Sequence, residues 1–297
     1  MNPPRSLFVG RSTLDALYAL DDLPAEDTKV YARQFHASPG GPALNAAVTH
    51  ALLGGEAMLA SAVGGGPWAA VVRAELNRYG VRLLDLAAGT AYETPLTTVL
   101  ANTATGSRTI VNPPLSTVSL APFDGSWSRS VPADWGDIPP VVLCDGFHLA
   151  ETLPLLAECK RAGAAICLDG GSWKPGTEEL APLLSVAICS ERFAIAGVEN
   201  TPESLFAWLA ARGVSSIAVT RGSLPILGWQ RGRRLAIEIK RVDAAETLGA
   251  GDVLHGAFAY FFASGMKFEP ALCRAAEIAT LSCRSMGTRG WAVPSPG

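Results

Sequence analysis

The sequence predicts an α/β fold, with a mainly parallel sheet covered by helices on both faces and a small β-sheet lid. From 141 to 220, continuous apolar runs alternate with helical segments, which is typical of parallel strands buried on both faces. Four other β-rich runs lack the crossover helices that parallel pairing needs, and lie near 13–20, 29–37, 97–101 and 108–112. We therefore expect one three-layer α/β/α domain over 1–297, with lid strands drawn from about 11–38 and 94–113.

Composition indicates a globular protein and excludes several function classes. Of 297 residues, 48% are apolar and 17% charged, with a net charge of −3. A nucleic-acid partner is not expected, because there is no basic block. A membrane partner is not expected either, because no apolar run reaches the roughly 18 residues that span a bilayer. A short apolar run at Leu7–Gly10 predicts a strand rather than a signal peptide. Six cysteines without Cys-x-x-Cys spacing predict reduced thiols and a cytoplasmic location.

The N-terminal part of the chain predicts a strand, the lid segments and two helices. In order, the predicted elements are a buried strand at 6–10, an extended segment at 13–18, a half-exposed strand at 29–36, a helix from the Gly-Gly turn to about 53, a strand at 57–63, a helix at 67–79 and a hairpin at 97–112. The helix at 67–79 begins with Pro67, which is favoured at a first helical position. The segment 115–140 gives no clear periodicity and predicts a surface connection with a short helix.

The C-terminal half predicts the regular alternation. In order, the predicted elements are strands at 141–145, 165–169, 186–189 and 216–220, helices at 152–162, 178–184 and 201–213 between them, a hairpin at 225–240, and helices at about 250–264 and 268–286. Right-handed crossovers place the carboxyl ends of the strands at one edge of the sheet, where ligands bind in open α/β folds. The residues at those ends are Asp145, Asp169, Ser190 and Thr220.

A glycine-rich turn before the penultimate helix is the strongest functional signal. It reads Gly249-Ala250-Gly251-Asp252 and leads into an apolar helix. Successive peptide N–H groups in such a turn can form an anion site, which the positive end of the helix dipole strengthens. Asp252 puts a carboxylate beside that site, where it could take a proton from an attacking hydroxyl during phosphoryl transfer. The alternative is that Asp252 simply complements the dipole in a first helical turn.

This turn and its flanks resemble the C-terminal signature of the ribokinase (PfkB) family of sugar kinases. The stretch reads Glu-Thr-Leu-Gly-Ala-Gly-Asp, with Glu246 where the family usually has Asp and Leu248 where many members have Thr. A second stretch, Pro39-Gly40-Gly41-Pro42-Ala43-Leu44-Asn45, resembles the N-terminal signature, in which Gly-Gly and an Asn contact sugar hydroxyls. In ketohexokinase-like members an Asn occupies the position of Pro42.

The resemblance implies a ribokinase-like α/β domain whose β lid covers a sugar site, with ATP and Mg²⁺ in use and a monovalent cation left open. It makes Asp252 the catalytic base and the peptide groups of Gly249, Ala250 and Gly251 the anion hole. The sugar-binding residues would be Asp15, Gly41, Asn45 and Arg108. From the residues alone, Asp15 could equally be a solvated turn residue and Arg108 a charge on an exposed hairpin. A homodimer through the lid is a further expectation, because exposed strand edges invite pairing.

The nucleotide and metal residues are expected at the strand ends. Ser190, Thr220 and Gly222 are the cofactor-binding candidates, because Thr-Arg-Gly at 220–222 resembles the family's ATP-contacting Thr-x-Gly. The family's Asn-x-x-Glu motif, which belongs to the magnesium shell, is altered, since Ser190 replaces the Asn and Phe193 the Glu. Asp169 and Glu191 are the metal candidates that remain. Glu191 stands at the wrong spacing, and Asp169 could instead serve a turn.

The substrate is predicted to be a ketose. The stretches Thr-Leu-Gly-Ala-Gly-Asp and Ser-Arg-Thr-Ile-Val resemble ketohexokinase-like members, and Gly-Asp-Val-Leu-His-Gly-Ala-Phe with the Gly-rich tail resembles sulfofructose kinase-like members. Arg11, Arg33 and Arg108 would suit an anionic sugar, although surface charges explain them equally well. Two alternatives stay open, namely a nucleoside kinase of the same family and a non-catalytic sugar-binding regulatory protein. A dinucleotide-binding oxidoreductase is disfavoured, because no Gly-x-Gly-x-x-Gly follows the first strand.

Overall fold

The computed structural model describes residues 2–105, 107–114, 116–124, 126–242, 247–285 and 287–292. Glu246, the first residue of the glycine-rich signature, lies outside them. The strands in chain order are β1 (Arg5–Gly10), β2 (Thr13–Leu20), β3 (Gln34–Gly40), β4 (Glu56–Ser61), β5 (Arg82–Asp85), β6 (Leu96–Asn102), β7 (Arg108–Val111), β8 (Val141–Cys144), β9 (Ala165–Gly170), β10 (Val186–Ser190), β11 (Ser216–Arg221), β12 (Leu224–Gln230) and β13 (Arg233–Ile237). The helices are α1 (Pro42–Leu52), α2 (Gly66–Arg78), α3 (Trp127–Ser130), α4 (Leu149–Arg161), α5 (Thr177–Leu180), α6 (Pro202–Ala210), α7 (Ala250–Ala263) and α8 (Phe268–Ser282).

A large sheet forms the centre of the molecule. Within the described residues it has nine strands in the order β13-β12-β11-β10-β9-β8-β1-β4-β5. The seven strands from β11 to β5 pair in parallel, and β12 and β13 add an antiparallel hairpin at one edge. After β1 the chain adds β4 and β5 on one side of it and then β8 to β13 on the other side, so the direction in which strands are added reverses at β1. In open α/β sheets such a reversal opens a crevice at the carboxyl ends of the strands.

Both faces of the large sheet are buried, which confirms the three-layer arrangement. Alternate residues of β1 enter opposite cores, since Phe8 packs in one core while Leu7 and Val9 pack in the other. The core around Phe8 includes residues of α1, α2, α7 and α8, and the opposite core includes residues of α4, α5 and α6. Because strand side chains alternate between faces, apolar residues on both faces explain the continuous runs in the sequence.

The lid is a second sheet with the strand order β3-β2-β6-β7. β2 pairs with β6 in parallel, while β3 and β7 pair antiparallel at the two edges. One face of the lid buries a small apolar cluster that includes Leu17 and Val99, with Leu248 packed against it. Phe35, Ile110 and Val111 remain 59%, 48% and 55% exposed. The predicted separate sheet and its hairpin are therefore confirmed.

One local prediction is wrong, and one strand was not predicted. The strand predicted at 29–36 is instead β3, Gln34–Gly40, because antiparallel pairing with β2 continues to the Thr13–Gly40 pair and so includes Pro39. An edge strand tolerates that proline, which has no N–H to donate. The short strand β5 was not predicted from its sequence, Arg-Leu-Leu-Asp, which is too short for a clear pattern.

Other sequence expectations concern membranes and thiols. In the part of the chain that the structure describes, no helix is long and apolar enough to cross a bilayer. All six cysteines are unpaired, and four of them are buried, namely Cys144, Cys159, Cys167 and Cys189. Burial raises the pKa of each of these four thiols, which keeps them protonated and unreactive. The six unpaired cysteines agree with the prediction of reduced thiols rather than a disulfide framework.

Candidate active site

A cleft between the lid and the large sheet brings all four predicted sugar-binding residues together with Asp252, whereas Ala250 and Gly251 are not among its lining residues. Its volume is about 670 Å³, which suits a small molecule. The predicted residues among those that line it are Asp15, Gly41, Asn45, Arg108, Gly249 and Asp252. They come from β2, the start of α1, β7 and the start of α7, four segments that are far apart in the sequence. A neighbouring depression of about 800 Å³ shares Arg11 and Phe147 with this cleft.

The glycine-rich turn forms the start of α7, as the sequence predicts. Gly249 precedes the helix with φ of 70°, a left-handed conformation that glycine adopts without strain. Asp252 is the third residue of the helix, and Gly251 is exposed beside it. The N–H of Ala250 donates to the carbonyl of Thr247 at 3.3 Å. Binding of an anion oxygen to the Ala250 N–H would have to replace that long hydrogen bond.

The Asp252 carboxylate is held by α1. The Nδ2 of Asn45 donates to its Oδ2 at 2.7 Å, so two residues 207 positions apart meet at the bottom of the cleft. Burial, followed by repulsion from Asp169, raises the pKa of Asp252 to about 7. The Asn45 hydrogen bond and the charge of His255 act in the opposite direction. A carboxylate with a pKa near neutrality is suited to accept a proton in catalysis.

His255 attaches the first turns of α7 to the sheet. Its Nδ1 lies 2.7 Å from the Gly251 carbonyl oxygen, and its Nε2 lies 3.1 Å from the Ile188 carbonyl oxygen in β10. The carboxylate of Asp169 lies 3.4 Å from the same Nδ1. The ring is buried, and both nitrogens are engaged by protein groups. This geometry agrees with a packing and orienting role for His255.

Asp15 and Arg108 enter the cleft from the lid. Asp15 lies within β2 rather than in a turn, so the solvated-turn alternative is wrong. Its Oδ1 accepts a hydrogen bond from Thr13 Oγ1 at 2.6 Å, and burial raises its pKa. Arg108 lines the cleft, and its Nη1 donates to Thr247 Oγ1 at 3.2 Å. Both residues are therefore placed to contact a molecule bound beneath the lid.

The predicted nucleotide residues lie outside this cleft, at the carboxyl ends of adjacent strands. Ser190 and Thr220 stand opposite each other in the β10–β11 pair. The Ser190 Oγ accepts from the Arg192 N–H at 3.2 Å, and the Thr220 hydroxyl donates to the Cys189 carbonyl at 3.4 Å. Gly222 is exposed in the turn after β11. Since His255 joins α7 to Ile188, two residues before Ser190, these groups lie near the start of α7.

The two metal candidates differ in their surroundings. Asp169 is buried and already faces His255, whereas Glu191 is exposed. Phe193, at the position of the family's metal-shell Glu, is buried against Trp173. Among the described residues, no group of three metal-ligating side chains is found. Magnesium is often bound through one or two carboxylates, substrate phosphates and water, so Asp169 fits that donor set and Phe193 does not.

Three residues without an assigned role in the sequence prediction are part of the site. The Asp145 carboxylate accepts hydrogen bonds from the N–H groups of Arg11, Ala43 and Phe147, and burial raises its pKa to about 6. It thereby fixes the segments around the cleft. Thr288 and Arg289 follow α8 and contact Asn45. The turn Gly287-Thr288-Arg289-Gly290 is visible in the sequence, but its partners lie more than 200 residues away.

Comparison with known proteins identifies the family and the fold. The profile of the family described as pfkB family carbohydrate kinase matches residues 5–295. Ribokinase from Bacillus subtilis (strain 168) is 24% identical and covers 95% of this chain and 94% of its own. The structure of a candidate ribokinase from Agrobacterium tumefaciens has a TM-score of 0.85, with 26% identity over 98% of this chain and 94% of that one. Arabidopsis thaliana ribokinase, complexed with ribose and ATP, has a TM-score of 0.74, with 21% identity over 97% and 94% of the two chains.

Proposed function

The chain belongs to the pfkB family of carbohydrate kinases, and we propose that it transfers the γ-phosphoryl group of ATP to a hydroxyl of a ketose, either fructose-like or an anionic derivative. Members of this family are phosphotransferases with an alcohol group as acceptor, so the class of enzyme is established. The observation that carries the proposal is the Asp252 carboxylate, which lies at the start of α7, opens on the cleft and is held by Asn45. The whole of 1–297 would act as one catalytic domain.

The proposed mechanism follows from the positions of the charged and polar groups. Asp252 takes the proton from the acceptor hydroxyl, whose oxygen then attacks the γ-phosphorus in line. The N–H groups of Gly249, Ala250 and Gly251 stabilise the charge that spreads over the phosphoryl oxygens. Asp15, Gly41, Asn45 and Arg108 orient the sugar. Closure of the lid excludes water, which would otherwise accept the phosphoryl group.

ATP and magnesium are proposed for this chain from its family and its strand-end residues. The structural relative from Arabidopsis is complexed with ATP, and Ser190, Thr220 and Gly222 are the residues proposed to contact the nucleotide here. When bound, magnesium neutralises phosphate charge, and Asp169 is the carboxylate proposed to orient its water shell, with Glu191 as the weaker candidate. A requirement for a monovalent cation stays a prediction, as does the cytoplasmic location.

The acceptor is proposed from the cleft-lining groups. Arg11 and Arg108 both line the cleft, which supports an anionic acceptor, whereas Arg33 pairs with Asp21 and is not among the lining residues. The Nη2 of Arg11 also donates to Asn112 Oδ1 at 3.3 Å. The relatives reported above carry the ribokinase name, so the likeness to ketohexokinase and sulfofructose kinase stays a prediction. Ribose is therefore a necessary member of any substrate panel.

The test is a panel of acceptors with coupled detection of ADP release. We expect turnover with a ketose such as fructose or a sulfonated or phosphorylated ketose, exceeding turnover with ribose and with nucleosides. A preference for ribose would refute the ketose assignment but not the sugar-kinase assignment. A preference for nucleosides would favour the nucleoside kinase alternative. Sugar-dependent thermal stabilisation without ADP release would favour a non-catalytic sugar-binding protein.

The pH dependence of turnover follows from the raised pKa of Asp252. The base must be ionised, so we expect kcat/KM for the acceptor to fall about tenfold per pH unit below pH 7. The groups that bear on this titration are Asn45 on α1, Asp169 on β9, His255 on α7, Asp15 on β2 and Arg289 after α8. The measurement is a kcat/KM profile from pH 5 to 9. A profile that stays flat down to pH 5 would contradict the assigned base.

A homodimer through the lid is proposed from its exposed apolar side chains. Phe35, Ile110 and Val111 are each about half exposed or more on this small sheet, and of these Phe35 and Ile110 also line the cleft whereas Val111 does not. Pairing between lids would remove that apolar surface from water, which is favourable. Sedimentation velocity of the purified protein measures its oligomeric state directly. We expect the mass of a dimer, which substitution of Val111 by Lys should reduce to that of a monomer.

A further inference from the structure

Arg289 lies after α8 with its guanidinium between α1, α2 and the lid. Its Nε lies 3.3 Å from Glu75 Oε1 in α2, and its Nη2 donates to the Pro39 carbonyl in β3 at 3.1 Å. Its Nη1 donates to the Oδ1 of Asn45 in α1 at 2.5 Å. A single side chain therefore joins four segments at the edge of the cleft, without being one of the predicted sugar-site residues.

These contacts determine how the Asn45 amide is oriented. An asparagine amide has one end that accepts and one end that donates hydrogen bonds. The accepting end, Oδ1, faces two donors, Arg289 Nη1 and Thr288 Oγ1, the latter at 3.3 Å. The donating end, Nδ2, faces the Asp252 carboxylate at 2.7 Å. Rotation of the amide by half a turn would set donor against donor and acceptor against carboxylate, so Arg289 fixes the orientation that Asp252 needs.

The pair between Arg289 and Glu75 keeps the guanidinium in place. The side chains are each 15% exposed, so this pair is largely withdrawn from water. Burial lowers the pKa of Arg289, and the charges of Glu75 and Asp252 oppose that effect. Removal of one partner from a buried pair leaves an uncompensated charge. The guanidinium is thus oriented by Glu75 on one side and directed toward Asn45 on the other.

We propose that Arg289 is a positioning residue for phosphoryl transfer, which holds the Asn45 amide so that the Asp252 carboxylate is aimed at the acceptor hydroxyl. Through the Pro39 carbonyl the same guanidinium fixes the end of lid strand β3 beside the cleft. The inference rests on the proposed function, since it assigns to Asp252 the role of base. It adds a chain of contacts from Glu75 through Arg289 and Asn45 to Asp252.

The test compares Arg289 with a matched arginine. We expect Arg289→Gln to lower kcat for the best acceptor by about 10- to 100-fold, because small displacements of a catalytic group are costly. The KM for ATP should stay within about twofold of wild type, since the guanidinium contacts no residue proposed to bind nucleotide. Arg274→Gln is the control, because Arg274 pairs with Glu277 on the exposed side of α8. It should retain wild-type kcat.

Two further variants separate positioning from a purely structural role. Arg289→Lys keeps a cation for Glu75 but lacks the planar fork that reaches Asn45 and Pro39 together. Arg289→Lys should fold, show a reduced kcat like that of Arg289→Gln, and have a KM for ATP close to that of wild type. Glu75→Gln breaks the ion pair while Arg289 still faces Asn45, so its melting temperature should fall with a smaller loss of kcat. Added guanidinium ion should partly restore kcat in Arg289→Ala and leave wild type unaffected.

The outcomes distinguish this inference from the proposed function. An active wild-type enzyme with Arg289→Lys and Arg289→Gln at wild-type kcat would overturn the positioning role alone. Equal losses of kcat in Glu75→Gln and Arg289→Lys, without guanidinium rescue of Arg289→Ala, would also overturn it. The ion pair between Glu75 and Arg289 would then explain the loss of kcat by itself. A wild-type protein without ADP release on any acceptor would overturn the proposed function, and this inference with it.

Discussion

Asp252→Asn is expected to lower kcat by about 10²- to 10⁴-fold while the protein stays folded and binds ATP. The amide keeps the size of the carboxylate and can still accept a hydrogen bond from Asn45 Nδ2 through its oxygen. It cannot take the proton from the acceptor hydroxyl at neutral pH. The measurement is kcat for the acceptor identified in the panel, together with ATP binding by calorimetry. A kcat within tenfold of wild type would remove Asp252 from the role of base.

The stability of Asp252→Asn provides an internal control. Folding raises the pKa of Asp252 from 3.8 to about 7, so the folded state holds this proton more tightly than the unfolded chain. The stability that this provides is complete below pH 3.8 and is lost as the pH rises through about 7. At pH 8 the buried carboxylate is ionised, which destabilises the folded state, whereas the asparagine side chain is neutral and has no such effect. Asp252→Asn should therefore melt no lower than wild type at pH 8, and its advantage should shrink at pH 5.

Gly256→Ala is expected to destabilise the protein by about 3 kcal/mol and to lower kcat as well. Gly256 lies where α7 crosses α1, and an added Cβ would meet the Ala46 carbonyl oxygen at 2.3 Å and the Thr49 Cβ at 2.7 Å. The first of these atoms belongs to the backbone, so one helix must move. That movement would separate Asn45 on α1 from Asp252 on α7, which touch at 2.7 Å. A displacement of about 1 Å at such a contact can reduce turnover about 100-fold.

The control is a glycine in the same helix. At Gly251 an added Cβ meets no atom within 4 Å among the described residues. Alanine is favoured over glycine within a helix by about 1 kcal/mol, so Gly251→Ala should leave the melting temperature unchanged or raise it. Thermal unfolding of both variants and kcat of Gly256→Ala provide the measurements. Equal melting temperatures for the two variants would show that α1 and α7 are not in tight contact at Gly256.

Some parts of the site were predictable because their signal is local. The start of α7 is an example, since Gly249 provides the left-handed residue and Asp252 follows in the first turn. The hairpin of the lid and the alternating strands and helices from β8 to β11 are others, because each depends on the periodicity of a few residues. The prediction of a strand at 29–36 was wrong for the opposite reason. Its limits are set by pairing with β2, and pairing is not a property of the segment itself.

By itself, the sequence determined the α/β fold with its lid, the family, and the identity of the glycine-rich turn, because backbone conformation and side-chain periodicity are encoded by neighbouring residues. The tertiary structure alone decided that Asn45 holds Asp252, that His255 on α7 faces Asp169 on β9, and that Arg289 reaches Asn45. These contacts join residues separated by 86 to 244 positions. A hydrogen bond between such residues depends on how helices and sheets pack, and packing is determined by the whole chain.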